Sequence, residues 1–394
     1  MLGDLFNWML LLFEPFADWL FIEPIPIQPR LQTINRPYQD IVTGVYGVPP
    51  LIKIHDRDGV IKWTWEREDV TQELPDGLLR CLYSEANDAT DLKWMRNGTS
   101  LGGVYSDLIM VVNHHPQNPE TDKFITFATC RDNEFMWNAH AVEGLPGDLM
   151  AVGTTGHRPW DGILVFNIST SLPLVENAPV HQNITHLPGI HALIWEESTR
   201  ILWAAGTDVA PDGSEGMPAT GLVVGYPFNA ETGLLDEENK ITYVVGEPGE
   251  LVAEWGDDYG WWAGPHDIVP IPHDRKFILV NDLGVYLLDL DEGNFTMTNQ
   301  EVIDAYLPGF EPTMPGRQGT NSKGEWTDFS LGDIKGLSLA PDGTFVYVQA
   351  LIQKVRGFHT NVVTHGNRHK INIGDEIYRS RFWDPMPGWP KAAT

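Results

Sequence analysis

Positive charge is what this chain has least of. Lys and Arg total 26 against 54 Asp and Glu, a formal net charge of -28 over 394 residues. A surface that acidic repels phosphate backbones and anionic headgroups, which sets nucleic acid aside as a partner. Cysteine is nearly absent. Cys81 and Cys130 allow one bridge at most, and neither belongs to a Cys-x-x-Cys pair, so iron–sulfur chemistry has no sequence support. No phosphate-binding loop, dinucleotide fingerprint or Gly-x-Ser-x-Gly elbow occurs, which leaves nucleotide, flavin and serine-hydrolase chemistry without a signal and points to no cofactor. Long apolar runs are missing too. The opening MLGDLFNWMLLLFEPFADWLFIEPIPIQPR is interrupted by Asp4, Glu14, Pro15 and Asp18 before it reaches membrane-helix length, and it lacks the basic start of a secretory signal. Residues 1–35 are expected to form an apolar arm docked on the fold, with a degenerate signal or a membrane-surface anchor as the alternative; no stable membrane span is expected.

Aromatic residues and chain punctuation are abundant instead. The 15 Trp, 16 Phe and 11 Tyr, with 42% hydrophobic residues, exclude a disordered, collagen-like or coiled-coil chain, and 38 Gly with 29 Pro favour many short strands joined by turns. One pattern recurs: a polar residue opens a short apolar strand, a tight turn follows, and a second strand ends in small residues. It reads His140-AVEGLPGDLMAVGTTG, His191-ALIWEESTRILWAAGTD, His266-DIVPIPHDRKFILVNDLG and Lys335-GLSLAPDGTFVYVQA, with a looser copy at Lys93-WMRNG that resumes in DLIMVVNHH. Turn residues at Pro146-Gly147-Asp148, His273-Asp274-Arg275 and Pro341-Asp342-Gly343 make each copy a hairpin. Intervals of 47, 51, 75 and 69 residues between the openers suit four-stranded blades with variable outer loops, and ILVFNIST, LVVGYPF and GVYLLDL supply third strands. The segments IVTGVYGVPPLIKIHDRDGVIKWTW and DEIYRSRFWD are expected to share one blade. The fold class is therefore all-β, with residues 36–394 forming a single six-bladed β-propeller closed by N- and C-terminal strands in one blade. A seven-bladed propeller and a pair of β-sandwiches are the alternatives.

Equivalent positions on successive innermost strands converge on a propeller's axis. Lys93, His140, His191, His266 and Lys335 are assigned to that position, which aims five basic or titratable groups at one small volume of an acidic protein. His140, His191, His266 and Lys335 are the candidate catalytic groups and Lys93 a substrate-binding one. The competing reading is that these side chains only satisfy backbone groups in a wet channel. Three histidines could also hold a transition metal, although two lysines beside them argue against it. Asp267 and Asp333 flank axial groups and would orient or neutralise them. Trp137, Trp261, Trp262 and Phe329 precede axial residues and would form an apolar wall at the entrance, with packing between blades as their ordinary role. Arg368 belongs to the basic stretch THGNRHKINIG, read either as a solvated loop or as a lid touching ligand oxygens.

The ordered series NAHAVEGLPGDLMAVG, GIHALIWEESTRILWAAG, GPHDIVPIPHDRKFILV and the Lys335 copy resembles a family of secreted bacterial six-bladed propellers without assigned chemistry. Among fungal proteins the chain is similar to the propeller-fold hetero-Diels-Alderases of tropolonic sesquiterpenoid pathways. That resemblance implies a cofactor-independent pericyclase joining a tropolone-derived quinone methide, a polar conjugated heterodiene, to the apolar alkene of a humulene-type terpene. It carries no catalytic motif onto particular residues. A metal-assisted carbohydrate lyase or hydrolase using His140, His191 and His266, or a non-catalytic glycan- or protein-binding propeller, are the competing functions. Sequons at Asn97, Asn167, Asn183 and Asn294, against roughly two expected by chance, tilt the compartment toward the secretory pathway. Whether Cys81 and Cys130 meet is open from sequence; a bridge would tie the first repeat copy to the chain entering the second.

Overall fold

The computed structural model describes residues 40–86, 88–131, 136, 138–210, 219–246, 252–253, 264–272, 274–297, 299–313, 317–320, 325–350, 359–364 and 369–383. The expected arm at 1–35, and with it Trp137, Trp261, Trp262 and Arg368, lies outside these residues. The described chain is all-β apart from short helices at Asp76–Leu82 and Asn299–Tyr306 and two single 3-10 turns. None of its helices is long and apolar enough to cross a membrane.

Five sheets of four or more strands form a propeller-like arrangement of blades, and a small three-stranded sheet accompanies them. In sequence order the first blade runs Ala89–Met95, Ser100–Tyr105, Leu108–Asn113 and Ile125–Cys130. The second runs Ala139–Leu145, Leu149–Thr154, Ile163–Asn167 and Val180–Ile184. The third opens with Gly189–Glu196 and Ile201–Thr207, and the fourth with Asp267–Pro270 and Lys276–Val280. A seven-stranded sheet holds Ile334–Leu339, Phe345–Gln349, His359–Thr364 and the long strand His369–Phe382, then Ile41–Tyr46, Leu51–His55 and Ile61–Trp65. Its two halves meet where Ile41 pairs with Phe382 and Val45 with Ile377, so the ends of the described chain share a sheet. All the pairings are antiparallel, as hairpin connections dictate.

The residue patterns account for these elements. First and second strands are buried on both faces and read as continuous apolar or small-residue runs, as in LMAVGT and ILWAAGT. Outer strands alternate or lie exposed, as in Ile241–Gly246. The second hairpin turns through Gly147 and Asp148, both in the left-handed region at φ 80 and 55, where glycine and aspartate are tolerated. Gly44 is required by close approach, since a Cβ there would lie 2.0 Å from the Ala89 carbonyl oxygen. The apolar side chains gather in clusters between neighbouring blades. Trp203, Ile194 and Val223 of the third, for example, pack with Phe277 and Leu279 of the fourth. Cys81, in the first helix, and Cys130, ending the outer strand of the first blade, form a disulfide with Cα atoms 5.7 Å apart.

Candidate functional site

Three innermost strands carry the same irregularity. Pairing with the second strand slips between Ala139 and Ala141, between Ile190 and Ala192, and between Ile334 and Gly336. A bulge leaves one residue out of the ladder and re-aims its side chain. Here that residue is His140, His191 or Lys335, the polar opener of each repeat. His266 precedes its strand directly, with its N–H donating to the Val280 carbonyl at 2.7 Å. All four side chains are buried. His140 and His191 keep 8% and 7% exposure against 3% and 2% for His266 and Lys335, so the first two are nearer to solvent.

These residues form a continuous run. His140 and His191 meet edge to face with ring centroids 4.8 Å apart, and His191 and His266 repeat the contact at 5.1 Å. Lys335 Nζ lies 2.5 Å from His266 Nε2. Asp282 Oδ1 accepts from Lys335 at 2.6 Å, and its other oxygen lies 3.0 Å from His266 Nε2. At the far end Tyr378 Oη is hydrogen-bonded to His140 Nε2 at 2.7 Å. Burial pushes His140 and His191 well below the ordinary imidazole range, and neighbouring imidazoles and Arg379 add to the effect. His266 falls to about 4, with burial and Lys335 outweighing the pull of Asp282. Burial likewise raises Tyr378 to about 12. At neutral pH the run is three neutral imidazoles and a phenol ending on a lysine–aspartate pair.

Directly beneath lies a layer of charge. The guanidinium of Arg379 donates to the backbone carbonyls of His140 (3.3 Å), His191 (2.7 Å), His266 (2.6 Å) and Lys335 (2.9 Å). One side chain thus fixes the backbone of all four candidate residues. Asp91 balances it, 3.5 Å from Arg379 and 2.8 Å from Arg381, and its other oxygen accepts from the Val142 N–H of the next blade. Burial alone would raise Asp91; Arg381, Lys93 and Arg379 overcome it and hold the carboxyl below its usual value.

The structure changes the register of one expected residue. Lys93 does not share the position of the histidines. The slip in its strand falls between Ala89 and Leu92, so Thr90 and Asp91 occupy the bulge, and Lys93 lies farther along, donating to Glu143 at 3.1 Å and to the Leu193 carbonyl at 3.0 Å. Polarity alone aligned Lys93 with the histidines, whereas distance from the hairpin turn sets the true match. Asp267 does not turn toward His266: its Oδ2 accepts from the Leu337 N–H across to the next strand and lies 3.7 Å from Arg381. Asp333 is fully buried at φ 59, with its carboxylate 3.6 Å from Lys335. Phe329 is half-buried in Trp326–Phe329, paired with Arg317 in the small sheet. In the basic stretch His369 and Lys370 begin a strand, pairing with Thr364 and Val363, where a loop was expected. Tyr378, Arg379, Arg381, Asp91 and Asp282 were missed. Arg379 and Arg381, two apart in EIYRSRF and so on one face of a strand, were a usable signal; Asp282, in the turn NDLG, carried none.

Among the described residues no group of three or more His, Cys, Asp or Glu side chains is arranged to hold a metal ion. No protein-family model matches the chain, and no curated protein matches its sequence. Among solved structures it is similar to a chain of the nidogen/laminin complex, at 7% identity over 90% of this chain and 100% of that one, with a TM-score of 0.46. It is also similar to two proteins described as proposed 6-phosphogluconolactonases. One, from Bacteroides fragilis, is 13% identical over 87% of this chain and 97% of its own, with a TM-score of 0.41. The other, from Bacteroides uniformis, is 11% identical over 91% and 99%, with a TM-score of 0.45.

Proposed function

We propose that the run from Tyr378 through His140, His191 and His266 to Lys335 is the working site of an enzyme that binds and polarises the oxygens of a small conjugated substrate by hydrogen bonding and proton transfer. The observation that carries this reading is the concentration of neutral imidazoles against a single lysine–aspartate pair. A channel that needed only to be filled would not require three titratable rings in contact. The fold reading that accompanies it is a six-bladed propeller, the seven-stranded sheet being two blades joined through His369–Phe382. Support comes from the contacts of innermost strands in sequence order, from Ala89–Met95 round to His369–Phe382, which touches Ala89–Met95 again.

The finer reading is an intermolecular hetero-Diels-Alder reaction of a tropolone-derived quinone methide with a humulene-type alkene. It rests on the sequence resemblance and on what these side chains can do. Forming the quinone methide removes a hydroxyl from carbon and a proton from the ring hydroxyl, together one water. A neutral imidazole offers its lone pair to the ring-hydroxyl proton, and the same depression that keeps it neutral makes it a weak base, so its part is a hydrogen bond that draws the proton as the hydroxyl leaves. The donor for the departing hydroxyl then falls to Lys335 or Tyr378. In the cycloaddition, a hydrogen bond from Lys335 to the heterodiene carbonyl draws electron density from it and lowers the barrier. Holding the two reactants face to face supplies about 7 to 11 kcal/mol more.

The test is product formation from a hydroxymethyl tropolone and a humulene-type alkene, analysed by chiral chromatography, with wild type beside His266→Ala and Lys335→Met. The expectation is one stereoisomer from wild type and a fall in kcat/KM of about 10² to 10⁴ in each variant, read below its own Tm, with Lys335→Met the less stable because it leaves buried Asp282 without its cation. A racemic product at the uncatalysed rate would remove the cycloaddition reading. Full activity in both variants would remove the site.

A further inference from the structure

Four sequons are scattered through the sequence, but the fold sorts them. In the second blade Asn167 ends the third strand and pairs with Leu149, which itself pairs with Leu145, five residues beyond His140. At a strand rise of about 3.3 Å per residue, that is roughly 17 Å from the imidazole run. Asn97 occupies the first hairpin turn, past the Met95–Ser100 pair and so at the same end. Arg96 ties the two places together. Its guanidinium donates to the Ile168 carbonyl at 2.5 Å and lies 3.5 Å from Asp148. Asn294, just after the turn at Gly293, pairs with Asp289, which pairs with Lys276, whose carbonyl accepts from Ile271 five residues beyond His266. Three sequons thus lie at the turn end of their blades. Asn183 is different: it sits level with Leu164, Val152 and Val142, toward the imidazole end.

The local environments of the described side chains follow the same division. Asn97 and Asn167 are exposed. Asn97 adopts the left-handed conformation of a tight turn (φ 56), and the Asn167 carboxamide oxygen accepts from the Ser169 N–H at 2.9 Å, which leaves its amide nitrogen toward solvent. Asn183 is half-buried on an outer strand, and its carboxamide oxygen is buried with no hydrogen-bond partner among the described residues. With its oxygen buried that carboxamide is turned toward the sheet, and a glycan on it would require the side chain to turn out of the folded blade.

We infer that Asn97, Asn167 and Asn294 are N-glycosylation sites and Asn183 is not, so that glycans cover the turn end of the blades and leave the imidazole end bare. The Cys81–Cys130 disulfide is consistent with the oxidising compartment where this modification occurs. The inference does not depend on any reading of the reaction.

The full chain, fused behind a cleavable secretion leader, is translated in the presence of microsomes. Three glycan increments are expected on a gel, with Asn97→Gln, Asn167→Gln and Asn294→Gln each removing one and Asn183→Gln removing none. Secreted protein treated with peptide N-glycosidase in heavy-oxygen water should carry labelled aspartate at positions 97, 167 and 294 alone. Labelling at 183 in folded, secreted protein, or translocated chain that gains no increment, would overturn the inference.

Discussion

The two layers at the convergence of the innermost strands use titratable residues in opposite ways. In the deeper layer Arg379, Arg381 and Asp91 are charged and held by ion pairs and bonds to backbone, with the Arg379 guanidinium also 5.2 Å from the Tyr378 ring centre: Arg379 alone holds four carbonyls from three blades and the seven-stranded sheet. In the layer above, His140, His191 and His266 are kept uncharged and touch ring to ring, and Lys335 stands at the end of the run. Charge paired in this way fixes geometry, although Arg381 Nε is buried with no hydrogen-bond partner among the described residues. The neutral rings above are held by a mixture of partners: His140 by Tyr378 and Asn138, His191 by the Gly189 carbonyl, and His266 by Lys335 and Asp282. The deeper layer positions the strands and the proposed chemistry falls to the layer above; both are buried, so burial alone identifies neither.

Breaking the deeper layer should have the larger effect. Arg379→Met removes four hydrogen bonds to carbonyls and one counter-ion of buried Asp91, and a loss of about 3 to 5 kcal/mol is expected, measured by urea unfolding. A loss below 1 kcal/mol would mean that the carbonyls find other partners and that the layer is not a scaffold.

A change of pH should act on the upper layer and less strongly. The histidines have lower pKa values folded than unfolded, so between about 4 and 6.5 the unfolded chain binds more protons and stability falls as pH falls. For His266 the shift from 6.5 to about 4 corresponds to roughly 3 kcal/mol, fully present above 6.5 and lost by about pH 4. Glu143, raised by burial despite Lys93, works in the opposite direction as the carboxylate range is reached. Urea midpoints from pH 7 to 5 should therefore decline in wild type and decline less in His191→Gln. Equal slopes would place the pH dependence elsewhere.

Much of this was legible in the sequence, for reasons that also explain what was not. His140, His191, His266 and Lys335 stood out because four hairpins repeat the same opener, and the blades followed from strand and turn patterns. Lys93 was aligned with the histidines on polarity, although it stands two residues before Met95 at its hairpin whereas His140 stands five before Leu145. Arg379 and Tyr378 lie on the final strand, which has no hairpin copy to align with. Asp282 reaches the run from a turn between second and third strands, where an aspartate ordinarily faces water. The helix at Asn299–Tyr306 lay among residues read only as connections between blades.

The charge state of the three imidazoles tests the account most directly, and it needs no substrate. Side-chain nitrogen NMR of the folded protein, followed from pH 8 to pH 5, is predicted to show His140, His191 and His266 neutral throughout. Titration of any of the three near 6.5, the ordinary value, would contradict the neutral run on which the proposed chemistry depends.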